Sequence, residues 1–476
     1  MIGRGSGHPD RVTTMDVKDA MFHYTSAPHR SMDQYTTFVF DSGDHEPPTF
    51  DDVVAHVERR ARFVPRLQIR IGDAVGLLEY PRWIRDPTPP RDHVVDHDLS
   101  DGRHTLNSFL ADRACVPVDA TTRAWTVHVG RGLSGVDGIR GAATVVIVQV
   151  SHALSDGSVG TRIVRALFGP DEPTDNVTFP DDPAVSRPRR VRDAVVATAL
   201  LPYRWARSQR RMGRAQQTYL DAVRTGELVA PAPVEPTRVN AHPDETRAVH
   251  VLQFPKSQWT GGPATVTATA LTAVGAALST YLAAHGERVG TRIRATVPTA
   301  IETSAAWPAV NRTVPAAVDL HPELTDVPDR ASAVAHALNL QRERVNDRRH
   351  IDATRSAELY PAALLLGFGR RARLVAPRSG TPERVTSHTV VTSVNRTGLD
   401  LELGSSRATL CAGVASLSPG CSITHAVYGY GDVVTVCVTA CPTTVPDHAV
   451  YADLLRSAVD ETCGALHGTS TTAVRR

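Results

Sequence analysis

One histidine follows the most apolar strand-like segment in the first half of the sequence. Residues 145–150 (VVIVQV) form a nearly continuous β-branched run, which is typical of a strand buried on both faces. Ser151 and His152 come next, and Asp156 and Gly157 complete the pattern HxxxDG. A neutral imidazole accepts a proton near pH 7, because its ordinary pKa is about 6.5. We therefore predict that His152 is a general base that deprotonates an attacking hydroxyl or amine.

The acid and the glycine that end this motif are expected to shape the loop. In a turn, the Asp156 carboxylate can pair with an arginine or with backbone N–H groups and so fix the loop that presents the ring. Gly157 can adopt a backbone conformation closed to other residues. We assign Asp156 to the catalytic pair with His152, and Gly157 and Ser151 to the structure of the loop.

The same six-residue pattern occurs a second time, from His97 to Gly102. His97 follows a short segment that polar residues interrupt, whereas His152 follows a buried strand. Because a motif needs its structural context, we interpret His97 as part of a surface turn and His152 as the functional copy. The alternative for His152 is a core histidine whose hydrogen bonds are simply satisfied.

The elements around the motif predict a mixed α/β protein in both halves of the chain. The expected strands are 35–40, 67–71, 145–150, 248–254, 292–297, 385–394 and 432–439. The expected helices are 50–63, 159–168, 265–284 and 330–345.

The length of 476 residues predicts two domains. Proline-rich stretches suggest where they separate. The expected divisions are a flexible leader (1–30), an N-terminal domain (31–175), a linker with a basic amphipathic segment (176–245), a C-terminal domain (246–465) and a tail (466–476). The formal net charge of +2 gives no reason to expect nucleic acid as a partner.

The segment from Arg187 to Arg214 is the most basic part of the chain. It carries nine arginines against one acid, Asp193, around an apolar centre at 194–201, and Pro202 is expected to kink or divide any helix. One interpretation is an interdomain helix with a solvated basic face. The other is a surface for an anionic ligand, membrane or lipid.

The six cysteines do not show zinc-site spacing, so no metal is expected. A permanently bound cofactor is not expected either. We interpret them as small buried residues in a reducing compartment. The sequence contains no signal-peptide pattern and no run of about 18 apolar residues. A cytoplasmic protein is expected, either free or peripheral at a membrane or lipid-body surface.

The residues from Val150 to Gly157 resemble the HHxxxDG signature of the bacterial wax ester synthase/diacylglycerol acyltransferase family. This family is part of the CoA-dependent acyltransferase superfamily, together with chloramphenicol acetyltransferase and peptide-synthetase condensation domains. The resemblance spans roughly residues 31–465. Its weaker parts are Ser31-Met32-Asp33, Val118-Asp119 with Trp125, Thr291 to Pro298 with Asn311-Arg312, and Leu417 to Thr424.

The chain departs from the family pattern at several positions. Ser151 replaces the first histidine, but the family uses the second histidine as its base, and His152 retains it. Thr267-Ala268 stand where the family has Asn-Asp, and Val391 to Gly398 is only loosely similar to its Ser-Asn-Val-Pro-Gly-Pro loop. A storage-lipid substrate is therefore not implied.

The resemblance implies two chloramphenicol acetyltransferase-like domains, with mixed sheets flanked by helices and an active-site tunnel between them. It also implies an O-acyltransferase that moves a fatty acyl group from acyl-CoA, or from an acyl carrier protein thioester, to an alcohol without an acyl-enzyme. Arg294 is a candidate partner for Asp156. Ser393 and Asn395 are candidates for oxyanion or acceptor contacts.

Two alternatives remain open. A condensation-type enzyme would form an amide from carrier-protein substrates, and it would also need the histidine. A non-catalytic lipid-binding or carrier-binding homologue would not need it, so replacement of His152 by Ala separates that class from the enzymes.

Overall fold

The computed structural model describes residues 14–473 except 73, 75–78, 172–190, 193–194, 197, 261, 263, 288–291, 302–308, 357–359, 376–380 and 382. The start of the basic segment, 187–190, and its one acid, Asp193, therefore lie outside the described residues.

The described helices and strands alternate along the chain. The helices are α1 (Val17–Thr25), α2 (Phe50–Ala61), α3 (Leu106–Ala114), α4 (Gly157–Phe168), α5 (Leu201–Arg224), α6 (Val266–Ala284), α7 (Val327–Asn346), α8 (Arg348–Ser356), α9 (Ala362–Val375) and α10 (His448–Ala473). The strands are β1 (Asp33–Asp41), β2 (Ile69–Gly72), β3 (Arg82–Arg85), β4 (Val94–Asp98), β5 (Trp125–Leu133), β6 (Ala143–Ser151), β7 (Ala248–Pro255), β8 (Arg294–Ala300), β9 (Thr313–Asp319), β10 (Thr389–Asn395), β11 (Glu402–Leu403), β12 (Ser406–Val414), β13 (Ile423–Tyr430) and β14 (Val433–Ala440).

The first six-stranded sheet has the order β11-β12-β1-β6-β5-β4. It is mixed, because β4 and β5 are parallel while β6 is antiparallel to both β1 and β5. All nine residues of β6 are buried, as its β-branched run predicts. The strand that carries the histidine motif therefore lies in the interior of this sheet.

The second six-stranded sheet has the order β7-β14-β13-β10-β8-β9 and is also mixed, with β10 parallel to β13 and β8. Helix α6 packs against α10 and α7 beside this sheet. By length and composition, α6 is apolar enough to cross a membrane, although it does not contain an uninterrupted run of about 18 apolar residues. In the structure, 67% of its apolar window is buried inside the protein. That burial is typical of the core helix of a folded domain.

The C-terminal half completes the first sheet. Strand β12 pairs antiparallel with β1, from Tyr35 opposite Val414 to Asp41 opposite Arg407. Buried residues from both halves join in one apolar cluster, which extends from Met15 to Cys437. The predicted domain bounds 31–175 and 246–465 do not include this crossing, because strand partners distant in sequence leave no local signal.

Residues 14–30 correct the expected flexible leader. Asp16 caps the N-terminus of α1 by accepting from the Lys18 amide, and Met15 and Ala20 are buried. At Gly369, a Cβ atom would lie 2.7 Å from both the Cβ and the carbonyl oxygen of Tyr24. Helix α9 therefore lies in close contact with α1, which belongs to the folded structure.

His97 is also placed differently from the prediction. It lies on β4, where it pairs with Gly130 of β5, and its Nε2 is 3.1 Å from Nδ1 of His128. The turn begins only after Asp98. The interpretation of His97 as a turn residue is wrong, because β4 is an edge strand on which the polar residues Asp96 and Asp98 are exposed.

In the basic segment, residues 191–192, 195–196 and 198–199 are helical, Leu200 is a turn, and α5 begins at Leu201 with Pro202 in its first turn, so the helix is divided next to the proline as predicted. Proline is accepted there because its missing N–H would have no helical partner.

Of the six cysteines, all are free thiols and all but Cys115 are buried, as expected for small apolar residues.

Candidate active site

The histidine loop connects the end of β6 to α4 in one tight turn. The His152 amide donates to the Met32 carbonyl over 2.9 Å, and the Leu154 amide donates to the Ser151 carbonyl over 2.8 Å. Ser151 is buried opposite Asp33 in the β1–β6 pairing. The backbone of His152 is thus fixed on both sides by the sheet.

Asp156 is the N-cap of α4. Its Oδ1 accepts from the amides of Ser158 and Val159 over 3.0 and 2.9 Å, and from the Ser158 hydroxyl over 2.8 Å. These bonds satisfy amide groups that have no partner within the helix. The predicted role of Asp156 in fixing the loop therefore has a structural basis in backbone N–H groups.

Gly157 does not have the backbone conformation that the sequence analysis expected. It is the first residue of α4, its φ is not positive, and a Cβ there would meet nothing within 4 Å. The absence of a side chain at Gly157 therefore leaves open space beside the motif, and the position does not require left-handed backbone.

The His152 ring is partly buried beneath Phe22 of α1. The two rings stack with centroids 4.2 Å apart and planes inclined by 5°. Nδ1 is buried without a hydrogen-bond partner among the described residues. The residue as a whole is intermediate in exposure, and Nε2 has no hydrogen-bond partner among the described residues, so Nε2 is the candidate nitrogen for a substrate contact.

Burial lowers the pKa of His152, because desolvation disfavours the charged imidazolium. The nearby Lys18 ammonium lowers it further, while the backbone, Asn311 and the negative charge of Asp156 oppose the change. The ring is therefore neutral at pH 7, as a general base must be.

Asn311 joins the second half of the chain to this loop. Its amide nitrogen donates to the His152 carbonyl over 2.7 Å and to Asp19 Oδ1 over 2.8 Å. Asp19 also accepts from the backbone amides of Val310 and Asn311 over 2.8 and 3.0 Å. Burial raises the pKa of Asp19 to about 6, against these hydrogen bonds. Helix α1, the loop before β9 and the histidine loop are thereby held as one unit.

A second buried carboxylate lies on the other side of the loop. Asp33 Oδ2 accepts from the Val118 amide and from Gln149 Nε2, both over 2.7 Å. The Gln149 Oε1 contacts Nε2 of His128 over 2.8 Å. Burial raises the pKa of Asp33 to about 7, although its hydrogen bonds act in the opposite direction. This network fixes the end of β6 next to the histidine.

The predicted pairing of Arg294 with Asp156 is wrong. The buried Arg294 guanidinium lies 2.8 Å from Asp319 Oδ1 and also donates to the Ala232 carbonyl. These contacts stabilise the edge of the second sheet. Arg66 is an arginine whose charge interacts with Asp156 and also with Asp19. Nothing in the sequence distinguishes Arg66 from the other arginines.

The two oxyanion candidates lie at the end of β10. The exposed Ser393 hydroxyl accepts from Thr267 over 3.1 Å, while Asn395 closes a turn by accepting from the Thr397 amide over 3.0 Å. Among the described residues, neither side chain hydrogen-bonds to the histidine loop. Their role in substrate contacts stays a prediction.

Asp19 and Phe22 were not among the predicted site residues, because both lie in the segment that was expected to be a flexible leader. Asn311 was noticed only as part of a family resemblance. No pattern around these residues signals that they meet at His152, since the contacts join positions about 130 to 290 residues apart in sequence.

The chain matches the family model for the wax ester synthase/diacylglycerol acyltransferase catalytic domain over residues 15–258, just over half of its length. It is similar in structure to the wax ester synthase/diacylglycerol acyltransferase from Marinobacter aquaeolei VT8, with a TM-score of 0.60 and 16% identity. That alignment covers 96% of this chain and 100% of the other.

Two other solved structures share the fold. The first condensation domain of the CDA synthetase aligns with a TM-score of 0.56 and 13% identity, over 96% of this chain and 97% of that one. The trichothecene 15-O-acetyltransferase of Fusarium sporotrichioides aligns with a TM-score of 0.52 and 10% identity, over 95% and 94%. No curated protein sequence matches at a significant level.

The structural likenesses confirm the predicted fold class of two acyltransferase-like units. The family match covers α1, the histidine loop and the connection to the second half. The chain belongs to the wax ester synthase/diacylglycerol acyltransferase family, and it is an acyltransferase.

Proposed function

We propose that the protein transfers an acyl group from a thioester to an alcohol, with His152 as the general base. The observation that carries this proposal is the state of the ring. It is neutral, it is partly exposed at the junction of both halves, and Nε2 has no hydrogen-bond partner among the described residues.

The reaction needs no covalent enzyme intermediate. Nε2 of His152 takes the hydroxyl proton as the acceptor oxygen attacks the thioester carbonyl, and the new C–O bond gives a tetrahedral oxyanion. Its collapse breaks the C–S bond, and the leaving sulfur takes the proton from the imidazolium. General base catalysis of this kind contributes about 10²–10⁴ in rate.

The donor is acyl-CoA or an acyl carrier thioester, and the acceptor is an alcohol whose identity the site does not specify. Amide formation is the second candidate reaction, and the condensation-domain likeness supports its fold alone. The match to the wax ester synthase/diacylglycerol acyltransferase domain favours oxygen as the nucleophile.

The test is the intact mass of products after incubation with a panel of acyl thioesters and with alcohol or amine acceptors. Ester formation by the wild type and its loss by about 10²-fold or more in His152→Ala would support the proposal. The matched control is His97→Ala, which removes the histidine of the second HxxxDG copy and should leave turnover within a few-fold. Equal activity in His152→Ala would show that the imidazole is not the base.

The described part of the segment from Arg187 to Arg214 supports a peripheral location at an anionic lipid surface. Its arginines at 192, 207, 210, 211 and 214 are exposed, and none has an ion-pair partner among the described residues. Exposed apolar side chains lie close by, with Tyr203 65% exposed. Basic and apolar side chains on one exposed helix are typical of membrane-surface segments.

Helix α9 extends the apolar part of this surface. Leu364, Phe368 and Leu374 are exposed by 46%, 57% and 64%. Tyr360 connects the two helices, because its ring centroid lies 5.8 Å from Trp205 of α5 and 6.5 Å from Phe368. Two separate helices therefore contribute to one exposed surface.

A further inference from the structure

A cavity of about 450 Å³ lies at the C-terminal end of α1. Residues from three elements line it: the end of α1 with the turn that follows, the loop at 117–121, and α9. Its size is within the range of small-molecule sites. The site described above does not use it.

Two guanidinium groups face this cavity from one turn of α9. Arg370 and Arg373 both line it, and side chains three residues apart lie on one side of a helix. Arg370 has no partner among the described residues. Arg373 donates one hydrogen bond, to the His23 carbonyl over 2.8 Å, which leaves four N–H groups free.

The other charged groups at the cavity do not cancel this positive charge. Asp119 is its one acidic lining residue, and the Asp119 Oδ1 already accepts from the amide and the hydroxyl of Thr121 over 3.0 and 2.7 Å. Burial lowers the pKa of His23 to about 4, so this ring is neutral. One carboxylate thus faces two guanidinium groups.

Short contacts connect the cavity to the catalytic loop. Ser26 lines the cavity, its hydroxyl accepts from the Met32 amide over 3.3 Å, and the Met32 carbonyl accepts from the His152 amide. On α1, Phe22 covers the His152 ring while its neighbour His23 faces the cavity. Residues that border the cavity are therefore linked, through Met32 and through α1, to the loop that carries the general base.

We infer that this cavity binds a phosphate group of the acyl donor's carrier, held by Arg370 and Arg373, with CoA as the donor. The inference rests on the proposed acyl transfer from a thioester. Paired guanidinium groups match phosphate geometry, and charge-assisted bonds of this kind are roughly twice as strong as neutral ones. The uncharged pantetheine arm would then extend past the edge of α1 toward Nε2 of His152.

The test compares the double variant Arg370→Gln/Arg373→Gln with Arg371→Gln. Arg371 is exposed on the same helix but does not line the cavity, so the control removes a positive charge without touching the site. Equilibrium binding of CoA, dephospho-CoA and pantetheine is measured by calorimetry, with thermal unfolding as the check on folding. This readout does not depend on turnover.

The expected result is a weakening of CoA binding by about tenfold or more in the double variant, with pantetheine binding unchanged and Arg371→Gln close to wild type. A difference between CoA and dephospho-CoA that the double variant abolishes assigns the 3′-phosphate to the site. Equal binding of those two, with loss only for pantetheine, assigns the pyrophosphate, a group that a carrier-protein arm partly shares.

Two results would overturn the inference. One is CoA binding that is the same in the wild type and the double variant. The other is an equal loss in Arg371→Gln, which would indicate general surface charge. Kinetics with acyl-CoA and S-acyl pantetheine separate this inference from the proposed function. If the wild type turns over neither thioester, the proposed function fails, whereas turnover with an unchanged KM in the double variant rejects the phosphate site alone.

Discussion

The side-chain amide of Asn311 donates to the main-chain carbonyl of His152 over 2.7 Å, so a residue from the second half of the chain holds the catalytic loop of the first. Two buried atoms of this pair, Asn311 Oδ1 and His152 Nδ1, have no hydrogen-bond partner among the described residues. A hydrogen bond from Nδ1–H to Oδ1 would satisfy both atoms. That bond would fix the tautomer in which Nε2 is the proton acceptor.

This relationship predicts that Asn311 is a positioning residue for His152. In Asn311→Ala, the His152 carbonyl and Asp19 each lose a donor, which should lower the free energy of unfolding by about 1–3 kcal/mol and lower kcat more than it raises KM. Urea denaturation and steady-state kinetics measure the two effects. Asn311→Gln keeps the amide, and partial recovery of kcat is expected. A variant that loses stability but keeps kcat would show a purely structural role.

The cap at α4 predicts how Asp156 responds to substitution. Asp156→Ala removes the acceptor of three hydrogen bonds and should destabilise the protein by about 0.5–2 kcal/mol, with a loss of turnover. Asp156→Asn keeps a good N-cap and should stay close to wild type in denaturant unfolding. If Asp156→Asn proves as inactive as the alanine variant, the charge of Asp156 matters to catalysis in addition to its role as the cap.

The lowered pKa of His152 predicts the pH dependence of acyl transfer. Only the neutral ring accepts a proton, so kcat/KM should rise with pH and reach its plateau with a midpoint below the ordinary imidazole value of about 6.5. Phe22→Ala uncovers the ring and should move the midpoint upward, because less desolvation remains. A midpoint above 6.5 in the wild type would contradict this account. Rates over pH 4.5–8 in constant ionic strength supply the measurement.

The raised pKa of Asp33 predicts that this group stabilises the protein less as pH increases. The folded protein holds the proton up to about pH 7, whereas the unfolded chain loses it near pH 3.9. The folded state therefore binds more protons between these values, and stability falls as pH rises through the folded pKa. Asp33→Asn should gain stability relative to wild type from pH 4 to pH 8, by at most about 4 kcal/mol. Asp112→Asn, at an exposed site on α3, is the control for loss of a carboxylate, and an equal gain there would reject the prediction.

The exposed arginines of α5 predict salt-dependent sedimentation with vesicles. Binding to vesicles that contain phosphatidylglycerol should exceed binding to neutral phosphatidylcholine vesicles, and it should fall steeply as salt rises because screening shortens the electrostatic range. Joint replacement of Arg207, Arg210, Arg211 and Arg214 by glutamine should reduce it strongly. Arg224→Gln on the same helix is the control, because Arg224 already pairs with Asp221 over 3.0 Å. Vesicle binding that does not change with salt concentration would contradict an electrostatic role for the arginines of α5.

Much of the fold could be predicted because its signals are local. The run at 145–150, the helix at 50–63 and the Ala-rich helix at 265–284 all appear within a few residues of their expected bounds. Two of the missed elements lack such signals. Strand β12 is recognisable only through its pairing with β1, and α1 is short and stabilised mainly by contacts with α9 and the loop at Asn311.

By itself the sequence determined the base, the strand that carries it and the family pattern around it, because residue type and burial periodicity are properties of short segments. Only the tertiary structure decided what surrounds the imidazole. It places Phe22, Asp19 and Asn311 around His152 and its loop. It also pairs Arg294 with Asp319 and not with Asp156. The physical reason is that the neutrality and orientation of a buried ring depend on desolvation and hydrogen bonds from elements that meet only when the two sheets assemble.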